Sequence, residues 1–457
     1  MRILKLAACA GVLSLGVALV GAQRDAGGTT LFEGARVIVG DGSAPIENAA
    51  FVVENGRLLK VGRKGDVQLP AGAARIDLTG KTVMPALINM HTHQGYERLA
   101  SGGYEFPASE SLTPDNLLDH LRRQAFYGVG TVTDGGTIAI PMARQFQVDG
   151  AARKFPPHAQ LVVSAGIVPP NGGVSPTLLK AIRPLKVNYE VVRAPEARTA
   201  VLDAAAKNIK AIKLWLGDRG GTYPAMPHEV YDAVIDEAHK HGLHVHVHAT
   251  TLRDQKDALR AGADMLIHTL TSEKMDDELA ALVREKKPYW SPVMGTGGPS
   301  PLCTDANVPF IAQTLPATIV ADVRATCKAA VNPAAATREE NLRYNFNKMI
   351  ESGARLVLGT DTGVSPNWSF GWADHFELEH YVQLGISPME AIVAATSRPA
   401  QQLGFQDAGV LAEGKSADFV VVNANPLDNI GNTRHVHSVY LRGSTLDRDG
   451  LLAMWNR

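Results

Sequence analysis

Cysteine is scarce in this chain: its 457 residues include three, at positions 9, 303 and 327. An excess of charge of one sign is also missing. With 45 Lys+Arg against 46 Asp+Glu, there is no electrostatic case for a nucleic-acid partner. Low-complexity segments are absent. The apolar stretch 6–20 is short of the roughly 20 residues that span a bilayer, and no membrane-length run follows it. Arg2 and Lys5 precede that stretch and Val20-Gly21-Ala22 closes it, the form of a secretory signal peptide cut after Ala22. This predicts export, to the periplasm or beyond, with no membrane attachment of the mature form. Cys9 would leave with the peptide, and no lipid-attachment cysteine stands at the cut. Cys303 and Cys327 then remain, either paired in an oxidising compartment or as two thiols, because sequence does not fix their separation.

Hydrophobic residues make up 45% of the chain, enough for a sizeable core, and the length suits a large barrel plus an accessory module. Residues 30–82 hold short β-type runs (35–39, 50–53, 57–61) separated by Asp41-Gly42 and the hairpin signal Asn55-Gly56. Similar runs return at 417–422 and 436–441. The two ends therefore predict one small β-sandwich built discontinuously around a central domain. In between, eight apolar runs (83–90, 129–134, 160–167, 211–216, 243–248, 264–268, 288–294, 355–361) alternate with helical patterns such as 227–241 and 253–261. Helices are also expected at 375–384 and 388–402. This is the pattern of an α/β fold, a (β/α)8 TIM-like barrel. The expected organisation is a signal peptide over 1–22, sandwich over 23–83 and 409–457, and barrel over 84–408. The Pro-, Thr- and Ala-rich stretch 295–338 is the candidate lid.

Chemistry-bearing residues close several of these runs. The first ends in His91-Thr92-His93, and side chains two apart on a strand share a face, so both imidazoles can converge on one ion. The fourth, Ala211-Ile212-Lys213-Leu214-Trp215, buries a lysine. The fifth reads His244-Val245-His246-Val247-His248, the sixth ends in His268, and the eighth in Asp361. His248 is nearest the mouth; His246 lies a layer deeper, as a packing or supporting residue. Each member has a plain alternative: a strand-end histidine in the core, a lysine reaching the rim, an aspartate capping a turn. Five strand ends at one level, on the face where such barrels build active sites, favour a metal centre.

The chain also resembles the amidohydrolase superfamily, in its imidazolonepropionase-like and prolidase-like branch with a binuclear metal centre. The segments carrying the resemblance are Met84-Pro85-Ala86-Leu87-Ile88-Asn89-Met90-His91-Thr92-His93, Ile212-Lys213, and 241–249, which holds His244, His246 and His248. They continue with 261–268 ending in His268, 352–363 holding Gly359-Thr360-Asp361-Thr362-Gly363, and Glu413-Gly414-Lys415-Ser416-Ala417-Asp418. Ala86 departs from a pattern that often has glycine there, without touching the chemistry. The resemblance implies that His91, His93 and Asp361 hold one metal and His248 and His268 the second. Lys213, carboxylated to a carbamate by CO2, would bridge them. Imidazole and oxygen ligands suit two divalent ions, Zn2+ foremost, with Mn, Co or Fe as alternatives.

The implied activity is hydrolysis of the amide C–N bond of a dipeptide or N-acyl amino acid, by a metal-bridging hydroxide with Asp361 as the catalytic proton carrier. A mononuclear cyclic amidohydrolase or deaminase acting on a heterocycle is the alternative, with Lys213 unmodified. A non-catalytic scaffold is a third reading, opposed by the retention of all six ligand positions. Tyr223, in the loop after Lys213, is a candidate for bonding a substrate carbonyl or for packing that loop. Arg98 and Arg219 are placed to meet a substrate carboxylate, on location alone. The partner expected is a small molecule or short peptide; a homo-oligomer is possible, since such barrels often associate, but the sequence does not fix the oligomeric state.

Overall fold

The computed structural model describes residues 28–456 apart from 69–70, 101–102, 106–108, 296–297, 328–334 and 365–367. The expected signal peptide lies outside the described residues. Among them, no helix is long and apolar enough to cross a membrane.

The chain ends build one eight-stranded sheet. Thr30–Val37, Ile46–Glu54, Arg57–Arg63, Ala74–Asp77 and Thr82–Pro85 come from one end, and Phe419–Val422, Val436–Leu441 and Ser444–Thr445 from the other. Phe32 and Tyr440 sit three strands apart in the sheet order, which would be about 14 Å in a flat sheet. Their rings are 5.1 Å apart. The sheet therefore curls over a shared core of Phe32, Phe51, Phe419 and Tyr440, and the two layers of the sandwich are two halves of one sheet.

The expected strand 83–90 divides. Thr82–Pro85 pairs with Phe419–Val422 in the end sheet, whereas Leu87–Thr92 is the first barrel strand. The switch takes one residue: Ala86 N donates to Asp418 O at 3.0 Å, and Leu87 N to Gly128 O at 2.9 Å, beside the barrel's second strand. The barrel strands that follow are Val129–Asp134, Gln160–Val162 continuing as Ser164–Val168, Ala211–Trp215, His244–His248, Met265–Ile267, Tyr289–Ser291 and Arg355–Leu356. The run 160–168 pairs with the second strand through its first half and with the fourth through its second half. First and eighth strands meet through Met90 N to Leu358 O at 2.8 Å and His93 N to Thr362 O at 2.7 Å. The fold is a (β/α)8 barrel with a separate sheet made by the chain ends.

Alternation along the strands sorts side chains as the pleat requires. Ile212, Leu214, Val245 and Val247 join the apolar cluster formed with the helices, leaving Lys213, His246 and His248 on the opposite face. The helices expected at 227–241 and 253–261 are His228–Lys240 and Leu252–Ala261. The one expected at 375–384 starts earlier, as Trp372–Gln383. The stretch 388–402 breaks into Pro388–Ala394 and Ser397–Gln402, because Pro399 has no N–H to continue the first helix.

The segment expected as a lid forms short helical turns, Pro301–Cys303 and Asp305–Asn307, then Val308–Ile311 and Ala317–Thr326. Leu302, Ile311, Ile319 and Val323 pack with Tyr127, Trp368, Trp372 and Phe376, so the segment has an apolar core shared with two barrel helices. Cys303 and Cys327 are joined by a disulfide, with Cα atoms 5.5 Å apart. Trp290 and Trp372 are fully buried core residues.

Candidate metal centre

The carboxyl ends of strands one, four, five, six and eight bring the expected residues to one level. His91 Nε2 and His93 Nε2 both meet Asp361 Oδ1, at 3.0 and 2.9 Å. Ligand atoms of His91, His268 and Asp361 all lie within 4.8 Å of one another. The rings of His248 and His268 are 4.4 Å apart, and those of His91 and His268 5.7 Å. Lys213 pairs in register with His246, and Trp215 with His248, which sets the lysine one layer below the His248 ring.

Local backbone departures aim these side chains. The first strand bulges between Asn89 and Thr92, a device that re-phases a strand at a site. Asn89 Oδ1 accepts from His91 N at 2.9 Å and its amide donates to Thr360 Oγ1 at 2.8 Å, tying the first strand to the eighth. His268 and Asp361 adopt φ of 78° and 56°, left-handed conformations that are uncommon away from glycine and concentrate at functional sites. Asp361 N donates to His91 O at 2.8 Å, and His268 N to Ser291 O at 2.8 Å, so each conformation is held by its neighbour strand.

Burial dominates the electrostatics. It pushes the His91 and His248 imidazoles well below their usual range, helped by Lys213 and His268 respectively, and His268 down to about 4. Burial would raise the Asp361 carboxyl, but hydrogen bonds from His91 and His93 outweigh it and hold the group well below the usual carboxylate range. Neutral imidazoles beside an ionised carboxylate are the protonation states that bind a divalent cation. Lys213 is fully buried and desolvation brings its amine down to about 7, against the charge of Asp361. Its Nζ has no hydrogen-bond partner.

The fit of divalent metal to this donor set rests on two observations. One is that amine, a buried basic nitrogen without a hydrogen-bond partner set among the histidines. The other is a cradle of two glycines after the second strand. A Cβ at Gly135 would lie 2.6 Å from His91 Cε1 and 2.7 Å from His93 Cε1; one at Gly136 would lie 2.7 Å from Lys213 Cβ. These residues leave room for the ligands to come close. Sequence reading passed over them because the second strand ends in no ligand, although Asp134-Gly135-Gly136 after a strand is a signal of close approach. It also missed Thr137, whose Oγ1 meets His93 Nδ1 at 2.8 Å and leaves Nε2 to face Asp361.

Other expected residues stand apart. His246 Nε2 meets the Gln402 amide at 2.7 Å, beneath the centre, and is pushed by burial down to about 3. His244 lies at the far end of its strand, 3.8 Å from Asp264. Tyr223 is half-buried on the rim, its amide bonded to Asp218 O at 3.0 Å. The side chain of Arg98 is outside the described set.

Residues 82–446 match the amidohydrolase family, and the chain belongs to it. It is similar to the imidazolonepropionase of Deinococcus deserti, 23% identical over 85% of this chain and 88% of that one. Among solved structures it resembles a putative prolidase from Bifidobacterium longum, with 25% identity, TM-score 0.69, and 94% and 99% of the two chains covered. A Xaa-Pro dipeptidase with bound methionine in its active site superposes with TM-score 0.71 at 23% identity, covering 92% and 99%. The protein is a hydrolase acting on carbon–nitrogen bonds, of a family that generally uses divalent metal ions.

Proposed function

We propose that this enzyme hydrolyses the amide bond of a dipeptide or an N-acyl amino acid at a two-metal centre. His91, His93 and Asp361 would hold one ion, His248 and His268 the other, and carboxylated Lys213 would bridge them. The observation that carries the reading is the buried Lys213 amine beside the histidine cluster, which has no hydrogen-bond partner and lies over the Trp215 ring, 5.1 Å from its centroid. Carboxylation converts that amine into an anionic oxygen ligand. Two divalent ions held there would supply Lewis-acid polarisation of the amide carbonyl and lower the pKa of an attacking water; Zn2+ suits the imidazole and oxygen donors.

The chain's own groups do the rest. Asp361 Oδ1 is taken by two imidazoles, yet the side chain keeps 12% of its surface against 2% and 6% for His91 and His93. Its Oδ2 would accept a proton from water and hand it to the leaving nitrogen. Tyr223 would donate from the rim to the substrate carbonyl. Likeness to a putative prolidase and a Xaa-Pro dipeptidase supports a dipeptide-like substrate. Likeness to an imidazolonepropionase favours a second reading, a mononuclear enzyme acting on a heterocycle with Lys213 unmodified. The signal-peptide pattern supports export, and amino-terminal sequencing of secreted protein should then begin at Gln23.

The test is a panel of dipeptides and N-acyl amino acids, with released amine measured on metal-loaded protein. Turnover in the parent and its loss by about 100-fold or more in Asp361→Asn supports the assignment. Ammonia from heterocycles, with no turnover of the amide panel, supports the second reading.

A further inference from the structure

The loop 217–223 follows the strand that carries Lys213. It is a compact turn. Asp218 O accepts from Tyr223 N at 3.0 Å, Asp218 Oδ1 from Gly220 N at 3.0 Å, and Arg219 O from the Thr222 hydroxyl at 3.0 Å. Arg219 itself has φ 51°, a left-handed conformation that a long side chain seldom takes, with Gly220 and Gly221 continuing at 69° and 83°. Its Nε donates to Gly173 O at 2.7 Å, in the loop after the third strand, so the side chain lies across two loops of the barrel mouth.

That bond uses one of five guanidinium donors. The terminal nitrogens have no carboxylate or carbonyl partner among the described residues. The group is partly desolvated and half-buried. Its loop leaves the carboxyl end of the strand that carries Lys213, on the face of the barrel where the candidate centre is built, and the Asp361 charge favours its cation. Asp361 is already committed to two imidazoles. Guanidinium nitrogens taken from water without a hydrogen-bond acceptor are costly, and their planar fork matches a carboxylate.

We propose that Arg219 is the docking residue for a free carboxylate on the substrate, which makes the enzyme selective for acids over their neutral amides and esters. This rests on the proposed amide hydrolysis at the same centre. The competing role is a purely structural tie between the loops at 173 and 219, which would not discriminate between ligands.

The probes are N-methylsulfonyl-L-leucine and its carboxamide, in which a sulfonamide replaces the N-acyl amide bond, titrated by calorimetry into metal-loaded protein with the carboxamide checked for release of ammonia. The acid should bind about 10- to 100-fold more tightly than the carboxamide, the range for hydrogen bonds to a charged group. In Arg219→Met that ratio should fall to within about threefold, and Arg219→Lys should keep part of it. Metal content and thermal midpoint of each variant are measured alongside. Equal affinity for the two probes in the parent, no detectable binding of the acid, or an unchanged ratio in Arg219→Met overturns the proposal. Hydrolysis of N-acetyl-L-leucine is followed separately. Carboxylate selectivity without turnover keeps Arg219 in its role and removes the amidase reading.

Discussion

Gly135→Ala replaces one hydrogen with a methyl group at a position where neither charge nor chemistry changes, yet it should dismantle the metal centre. The added Cβ would stand 2.6 Å from His91 Cε1 and 2.7 Å from His93 Cε1, where ordinary contact begins at 3.4 Å. Each ring must therefore retreat by about 0.7–0.8 Å, since atoms that close repel steeply. Thr137 Oγ1, at 2.8 Å from His93 Nδ1, and the packed first strand restrict where they can go. Metal–nitrogen bonds of about 2.0–2.1 Å tolerate deviations of about 0.2 Å. Loss of outer support alone typically lowers metal affinity 10- to 100-fold, so moving two ligands directly should cost about 100-fold or more. The backbone at Gly135 is not left-handed, so alanine adds no conformational strain there, unlike at Gly136 with φ 78°. The assay is metal content after dialysis against a graded chelator, with thermal unfolding of the stripped protein as control. The variant should unfold within a few degrees of the stripped parent while losing metal at far lower chelator concentration. Parent-like retention of metal would refute the cradle.

Two further predictions concern the scaffold. Burial raises the Asp374 carboxyl to about 8, opposed by its hydrogen bond from Asn89, so the folded state holds a proton that the unfolded chain releases above about pH 4. The stability this contributes is full below pH 4 and is lost as pH rises through 8. Asp374→Asn keeps an acceptor for Asn89, so its gain over the parent should be small near pH 4 and grow towards pH 8, at up to about 1.4 kcal/mol per pH unit; a pH-independent difference in thermal midpoint would contradict this. The Cys303–Cys327 bridge closes a 24-residue separation, worth about 3 kcal/mol by chain entropy. Reductant should lower the midpoint of the parent by a few degrees and leave the Cys303→Ser, Cys327→Ser double variant unchanged; no effect on either would remove the staple from the account.

Much of this was legible in the chain because a barrel strand writes its geometry as period-two hydrophobicity ending in polar residues. His91, His93, Lys213, His248, His268 and Asp361 stood out for that reason. The division of 83–90 between two sheets did not, since Pro85 and Ala86 sit within one continuous apolar run. Nor did the bulge at Asn89–Thr92 or the left-handed φ of His268 and Asp361, which are imposed by neighbouring strands rather than by local sequence. Gly135 and Gly136 act through space they leave empty, and sequence shows emptiness poorly. The pairing of Cys303 with Cys327 depended on a separation that only the folded insert defines.

The most direct test of the central claim is metal content per chain, on protein purified without chelator, for the parent and for Lys213→Ala. The account predicts two divalent ions per parent chain and the loss of one or both in the variant. One ion per parent chain, unaffected by Lys213→Ala, would contradict it.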